Sequence, residues 1–166
     1  MAENRELRKK LLTYIERNAR AGLDELAVMF GVPEIDLANE WKSMEEEGFI
    51  CGYHTMIDWS KTSIEEVSAL IEVRVTPQRG LGFDSIAERI YKYPEVQSVY
   101  LMSGGFDLMV ILEGKSLQEV AGFVSNKLST MDSILSTATH FILKKYKDHG
   151  TILAKKPEDT RERVSP

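Results

Sequence analysis

The sequence is poor in the residues that build disulfides and metal sites. Its 166 residues include one cysteine, Cys51, and three scattered histidines, His54, His140 and His149. A single cysteine excludes an internal disulfide and fits a reducing compartment. Because the histidines lie far apart and Cys51 stands alone, the spacing of a metal-ligand cluster is missing, and we predict no metal site.

Long apolar runs are also missing. None approaches the roughly 20 residues needed to span a bilayer, and the N-terminus lacks an apolar stretch followed by a small-residue cleavage site. We therefore predict a cytoplasmic protein with no membrane partner. The spacing supports no nucleophile–base pair, phosphate-binding glycine loop or pair of catalytic carboxylates. We predict no catalytic residue, no cofactor and no enzymatic activity.

Charge is distributed unevenly along the chain. The overall composition, 43% hydrophobic and 28% charged, is typical of a globular protein with a core. The net charge is −5, and all of it lies in residues 1–60, where seven Lys or Arg stand against twelve Asp or Glu. A net negative first third disfavours contact with a polyanion.

The first third has the periodicity of a three-helix domain. Apolar residues at helical spacing predict helices over residues 5–18, 23–30 and 33–47, with Gly31 ending the second and Gly48 ending the third. Two helices joined by a tight turn after a supporting helix indicate a winged-type helix-turn-helix domain over residues 1–60. A short strand and a linker are predicted to follow the third helix.

The remaining sequence alternates strands and helices. Strands are predicted over 67–76, 96–102, 107–114 and 134–146, and helices over 83–93 and 116–128. Ser116 and Glu119 have the spacing of a capping box. The order βαββαβ predicts a ferredoxin-like domain over residues 61–149, and hence an α+β chain. Residues 150–166 are charged and aperiodic, which predicts a flexible tail.

Three motifs in order give the chain a family resemblance. "MEEEGFICGY" (44–53) follows the third helix, "GGFD" (104–107) lies in the predicted hairpin, and "STAT" (136–139) opens the last strand. Together with the pairing of domains, they resemble the Lrp/AsnC (feast/famine) regulators over nearly the whole chain, from about Arg5 to Lys147.

The resemblance implies partners and a ligand site. It implies DNA as one partner, a homodimer formed through the C-terminal sheets, and further assembly into a tetramer or octamer. The effectors of this family are usually amino acids, bound in clefts between dimers. In this chain the resemblance places the effector positions on one loop and two threonines: Leu101, Met102, Ser103, Gly104, Gly105, Phe106, Asp107, Thr137 and Thr139.

The residue types of that loop suit a free amino acid. Asp107 can accept hydrogen bonds from an ammonium group, while threonine hydroxyls and glycine N–H groups can bind a carboxylate. Phe106 and Met102 are candidates to line an apolar part of the site. The alternative for Asp107 is a turn aspartate that accepts from nearby backbone N–H groups.

The DNA-binding positions depart from the family pattern. The resemblance and the basic residues of the first helix assign DNA contact to two helices, at Arg5, Arg8, Lys9, Glu34, Asp36, Asn39, Lys42 and Ser43. Asn39, Glu40 and Ser43 stand where family members often have arginine. The chain is therefore either an amino-acid-responsive transcriptional regulator or an oligomeric sensor whose helix-turn-helix no longer reads DNA. A sirohaem decarboxylase, similar in architecture, is a third reading, which isolated histidines disfavour.

Overall fold

The computed structural model describes residues 2–76 and 82–153 and divides the chain into two compact units, residues 1–57 and 58–166. No helix in the described ranges is long and apolar enough to cross a membrane. Most of the predicted charged tail, residues 154–166, lies outside the described residues.

Unit 1 is a three-helix domain, as predicted. Its helices are α1 (Ala2–Ile15), α2 (Leu23–Phe30) and α3 (Glu34–Glu46). One apolar face of each helix meets the others in a small core formed by Leu11, Ile15, Leu26, Leu37 and Met44. Each such side chain contributes roughly 1.5–3 kcal/mol when it leaves water. The prediction of a helix-turn-helix domain is confirmed.

The end of α3 shows why the motif after it contains Gly48. Gly48 has φ 76°, the left-handed conformation that terminates a helix. The chain reverses there, and the Phe49 and Ile50 N–H groups donate to the Met44 carbonyl at 2.9 and 3.1 Å. Glycine is favoured because a Cβ is strained at that φ.

The short strand predicted after α3 does not form. Residues 51–58 have no regular secondary structure, and a 3₁₀ turn follows at Trp59–Lys61. Within the described residues of unit 1 no second extended segment pairs with this one, and a strand needs a partner to satisfy its backbone groups.

Unit 2 is a four-stranded antiparallel sheet with two helices, and it confirms the predicted ferredoxin-like fold. The elements are β1 (Val67–Val75), α4 (Asp84–Tyr91), β2 (Val96–Leu101), β3 (Leu108–Gly114), α5 (Leu117–Phe123) and β4 (Ile134–Phe141). The strand order is β2-β3-β1-β4. The central strand β1 places Ile71 between Val110 on β3 and Thr139 on β4.

The two faces of this sheet differ. The face formed by Ala69, Ile71, Val73 and Val75 of β1 is buried against α4 and α5, in one core with Ile86, Ile90, Val120 and Phe123. On the other face Leu70 pairs with Ile111, and Tyr100 pairs with Met109. Since directly opposed residues share a face, these pairs form apolar patches on the side away from the helices.

The predicted last helix is interrupted. α5 ends at Phe123, and Val124–Leu128 continue as a π-helical turn. At its start the Ser116 hydroxyl accepts from the Glu119 N–H at 3.1 Å, as the capping box predicts. The Glu119 carboxylate, however, accepts from the Lys115 N–H at 2.6 Å and not from Ser116. The reciprocal half of the box is therefore displaced by one residue.

A small hairpin follows the main sheet. β5 (Lys147–Asp148) pairs with β6 (Thr151–Ile152) through a turn at His149 and Gly150, both with positive φ. Residues 150–152 therefore belong to this hairpin and not to the predicted flexible tail, 150–166. The residues around this two-residue turn are highly charged, so the sequence pattern favoured a tail over a hairpin.

Candidate functional site

The Asp107 side chain is held at the end of β1. Its Oδ2 accepts from the Val75 N–H at 2.8 Å, and its own N–H donates to the Val73 carbonyl at 3.0 Å. The β1–β3 ladder ends at the pair Val73–Leu108, so the carboxylate supplies the acceptor that the ladder no longer provides. Within the described residues this bond is the only one made by the Asp107 side chain, and it engages Oδ2 alone. Asp107 therefore extends the β1–β3 pairing through Oδ2, while Oδ1 remains available.

The loop beside Asp107 is accessible. Its ends are closed by the Met102 N–H, which donates to the Asp107 carbonyl at 2.8 Å. Leu101, Met102, Ser103, Gly104 and Gly105 are exposed, and Phe106 is half-buried. Gly104 has φ 151°, which side chains rarely adopt, and a Cβ there would meet open space. The glycine is thus required by backbone conformation rather than by crowding within the chain.

The two threonines lie across β1 from Asp107. Thr137 pairs with Val73 and Thr139 with Ile71, which puts both on the helix-covered side of the edge strand β4, half-buried. Asp107 lies on the opposite side of β1 at the level of residues 73–75. Two strand spacings separate the backbones of β3 and β4, about 10 Å. The structure brings loop and threonines to one region of the sheet without placing them in contact.

Arg8 is turned inward, onto α3. Its guanidinium donates two hydrogen bonds of 2.8 Å to the Glu47 carboxylate, one of 3.1 Å to the Ser43 hydroxyl, and one from Nε to Glu40. The Ser43 hydroxyl donates to Glu47 at 2.5 Å, and the Phe49 ring lies 5.4 Å from Arg8 Cζ. Residues 40, 43 and 47 form one helical stripe, so α3 turns a polar face toward α1.

These contacts shift both charged partners toward ionisation. Hydrogen bonds from Arg8, and then from Ser43, lower the pKa of Glu47 to about 2. Hydrogen bonds to Glu47 and Glu40 raise the pKa of Arg8. Arg8 and Ser43 were both assigned to DNA contact from the sequence, and the structure places them in this α1–α3 cluster. The i, i+3, i+7 spacing of Glu40, Ser43 and Glu47 indicates a polar face on α3, but it does not identify Arg8 as the partner of that face.

The outward side of α3 carries the other assigned DNA positions. Asn39 and Lys42 are exposed, and the Lys42 ammonium lies 3.6 Å from Glu46. Glu34 and Asp36 are exposed in the first turn, where carboxylates interact favourably with the helix dipole. Arg5 and Lys9 are exposed on α1.

A cluster missed by sequence reasoning explains the tyrosine of "MEEEGFICGY". The Tyr53 hydroxyl donates to Glu45 at 2.6 Å and accepts from the Trp41 ring N–H at 2.5 Å, while the two rings stack 6.4 Å apart. Burial and the neighbouring Glu45 raise the pKa of Tyr53, so its hydroxyl remains a donor. The motif therefore fastens the chain after Gly48 back onto α3.

Comparisons with known proteins agree with this architecture. Residues 68–152 match the family described as the Lrp/AsnC ligand binding domain. The chain is 49% identical over 162 residues to the uncharacterized HTH-type transcriptional regulator YugG of Bacillus subtilis (strain 168), covering 97% of this chain and 98% of that protein. It is 26% identical over 132 residues to the proline dehydrogenase transcriptional activator of Rhodobacter capsulatus, covering 80% and 85%.

A solved structure shows the same fold. The transcriptional regulator NMB0573 of Neisseria meningitidis, in its L-Met complex, matches with a TM-score of 0.68 at 20% identity, covering 86% of this chain and 92% of that one. The named relatives are regulators and not enzymes, in agreement with the absence of a catalytic constellation predicted from the sequence. Given the family match over its second half and the near full-length likeness to YugG, this chain belongs to the Lrp/AsnC family of HTH-type transcriptional regulators.

Proposed function

We propose that this chain is a cytoplasmic transcriptional regulator that binds DNA through unit 1 and an amino acid through the 101–107 loop, in a cleft between dimers. The observation that carries the effector site is the geometry of Asp107. One carboxylate oxygen accepts from Val75, and the other is available to accept from an ammonium group beside an exposed, glycine-containing loop.

The chemistry of the loop supports an amino acid as effector. Half-buried Phe106 and partly exposed Met102 offer apolar surface next to the carboxylate, and the loop glycines allow a ligand close to the backbone. The related fold of NMB0573 was solved as its L-Met complex. An amino acid supplies both the ammonium for Asp107 and a side chain for the apolar surface.

The positions of the threonines support a site shared between copies. The ammonium and carboxylate of an amino acid are attached to one carbon atom, so a ligand held by Asp107 cannot also reach across β1 to Thr137 and Thr139 of the same chain. Threonines of a second copy can meet the loop where the two copies adjoin. A cleft between dimers satisfies this requirement.

The effector site is tested by separating structure from charge at Asp107. The twenty amino acids are screened by thermal shift against the wild type, Asp107→Asn and Asp107→Ala. A ligand present at 100 times its Kd stabilises the native state by about 2.7 kcal/mol. Asn retains an oxygen for the Val75 N–H but loses the charge, so Asp107→Asn should melt near the wild type without ligand and lose the shift.

Asp107→Ala should instead melt lower without ligand, because the Val75 N–H loses its acceptor. Asp132→Asn, an exposed carboxylate outside the loop, removes the same charge and should keep the full shift. A ligand that stabilises Asp107→Asn as strongly as the wild type would contradict the assigned site.

Dimer formation is proposed through the open face of the sheet. The apolar pairs Leu70–Ile111 and Tyr100–Met109 lie there, away from α4 and α5. We expect a mass of at least twice 18.8 kDa by analytical ultracentrifugation, and higher multiples for the tetramer or octamer. Ile111→Arg should lower the mass, whereas Gln118→Arg, at an exposed position of α5, should not; equal masses of the two variants would contradict this interface.

The acidic third helix favours one competing function, a sensor that does not bind DNA. Glu34, Asp36, Glu45 and Glu46 are exposed on α3, where only Lys42 is basic. Selection from a randomised duplex library at low salt distinguishes the two functions. An enriched sequence, weakened by Asn39→Ala and Lys42→Ala, supports the regulator; absence of enrichment with and without amino acids supports the sensor.

A further inference from the structure

The cations of the acidic unit 1 are sorted by the fold into different environments. Arg8 forms ion pairs with Glu40 and Glu47, and Lys42 lies beside Glu46. Three other cations, Lys9, Lys10 and Arg17, line an open groove of about 420 Å³ between α1 and the end of α2. Its lining is formed by Glu6, Lys9, Lys10, Thr13, Tyr14, Arg17, Asn18 and Phe30.

The polar groups that this groove offers to a partner are mainly cationic. The Thr13 hydroxyl donates to the Lys9 carbonyl at 2.8 Å, and the Asn18 amide donates to the Tyr14 carbonyl at 3.3 Å, so both are used locally. Lys9, Lys10 and Arg17 are exposed, and no ion pair joins them to a carboxylate of the described residues. Three cations against the single carboxylate of Glu6 make the groove positive within a negative unit.

Aromatic rings support this surface. Tyr14 and Phe30 pack edge to face with ring centroids 6.4 Å apart, at the groove between α1 and α2. The aliphatic parts of lysine and arginine side chains can pack against such an aromatic surface while their charged ends stay in water. Lys9 and Lys10 lie on α1 and Arg17 lies in the turn just after its last residue, Ile15, so the charges are spread along the groove rather than gathered at one point.

We infer that the α1–α2 groove is a contact surface for the phosphate backbone of DNA, through Lys9, Lys10 and Arg17. The inference rests on the proposed DNA-binding function and extends it to a surface away from α3. A row of flexible cations suits successive phosphates, and tyrosine hydroxyls also contact phosphate oxygens. It supplies the local positive charge that α3 lacks, since one basic edge can outweigh an unfavourable net charge at close range.

The salt dependence of binding measures these contacts directly. Each neutralised phosphate contributes about 0.9 to the slope of log K against log salt. The full chain and a Lys9→Ala/Lys10→Ala/Arg17→Ala variant are titrated onto a labelled duplex of mixed sequence between 50 and 200 mM NaCl. The variant's slope should be smaller by about 2.7, so its affinity falls about 40-fold less than that of the wild type over this range.

A charge-matched control separates local contact from net charge. Arg89→Ala/Lys115→Ala/Lys147→Ala removes three exposed cations of unit 2 and gives the same total charge as the groove variant. Its slope should stay within about one of the wild type. Melting curves of both variants should match the wild type, since all six side chains are exposed.

The outcomes distinguish the groove from the function on which it rests. If the groove variant binds DNA with an unchanged salt slope, the assignment of the groove is overturned. The same holds if the control variant loses as much of the slope as the groove variant. In both cases DNA binding by the chain still stands. No DNA binding by the wild type at the lowest salt overturns both. Labelled poly-glutamate is titrated in parallel onto the wild type and the groove variant. If the wild type binds poly-glutamate more tightly than DNA, and the groove variant weakens that binding, the surface is assigned to an acidic polypeptide and the inference is overturned.

Discussion

Arg8 on α1 holds Glu47, just beyond the end of α3, through two parallel hydrogen bonds of 2.8 Å. Glu40 and Ser43 complete the cluster from the same side of α3. Glu40, Ser43 and Glu47 therefore form one polar stripe that binds the Arg8 guanidinium on the side of α3 facing α1. The negative charge of the two glutamates is partly neutralised by this cation from the supporting helix.

We expect Arg8→Ala to lower the melting temperature of unit 1 by several degrees. The substitution leaves Glu40 and Glu47 near each other without their shared cation, and like charges repel. Arg8→Ala/Glu40→Gln/Glu47→Gln should recover much of the loss, as followed by Trp41 fluorescence in a Trp59→Phe background. A triple variant no more stable than Arg8→Ala would contradict the charge explanation.

Acid should weaken the same cluster. The pKa of Glu47 is about 2 in the folded chain against its ordinary 4.5, so its ion pair stabilises the fold fully above pH 4.5 and loses this effect as the pH falls toward 2. The melting temperature of unit 1 should therefore fall between pH 5 and pH 2.5. Glu47→Gln, which cannot titrate there, should show a shallower fall; identical profiles would argue against this linkage.

The two glycines of "GFICG" should respond differently to alanine. Gly48 has φ 76°, so Gly48→Ala should cost about 1–2 kcal/mol in the free energy of unfolding. A Cβ on Gly52 would meet open space, and Gly52 is not among the glycines with positive φ, so Gly52→Ala should change little. Urea denaturation measures both, and equal losses would refute the assignment of strain to Gly48.

The cap of α5 gives a fourth prediction. Ser116→Ala removes the acceptor of the Glu119 N–H and should cost about 1 kcal/mol in the free energy of unfolding. Ser129→Ala, at an exposed serine after the π-helical turn, should be close to neutral. Urea denaturation of the full chain provides the comparison, and a cost at Ser129 equal to that at Ser116 would show that the cap contributes nothing special.

The architecture was largely predictable because local patterns and the fold agree. Apolar spacing at Leu11, Leu26, Leu37 and Met44 predicted helices, and these residues form the core of unit 1. The β-branched run from Val67 to Val75 predicted the central strand. The predictions of secondary structure were wrong where the local sequence pattern did not distinguish between alternatives. Residues 51–58 look strand-like but have no partner strand in the described part of the chain, and the interruption of α5 by a π-helical turn has no simple sequence signal.

The order of the elements and the residues of the 101–107 loop follow from the sequence alone, because periodicity and turn residues act over a few positions. The contacts of two charged residues, Asp107 and Arg8, become visible only in the folded chain. Asp107 binds Val75 through one oxygen, which leaves the other available, and Arg8 faces α3 rather than the solvent. Both outcomes depend on contacts between residues more than thirty positions apart, which no local pattern encodes.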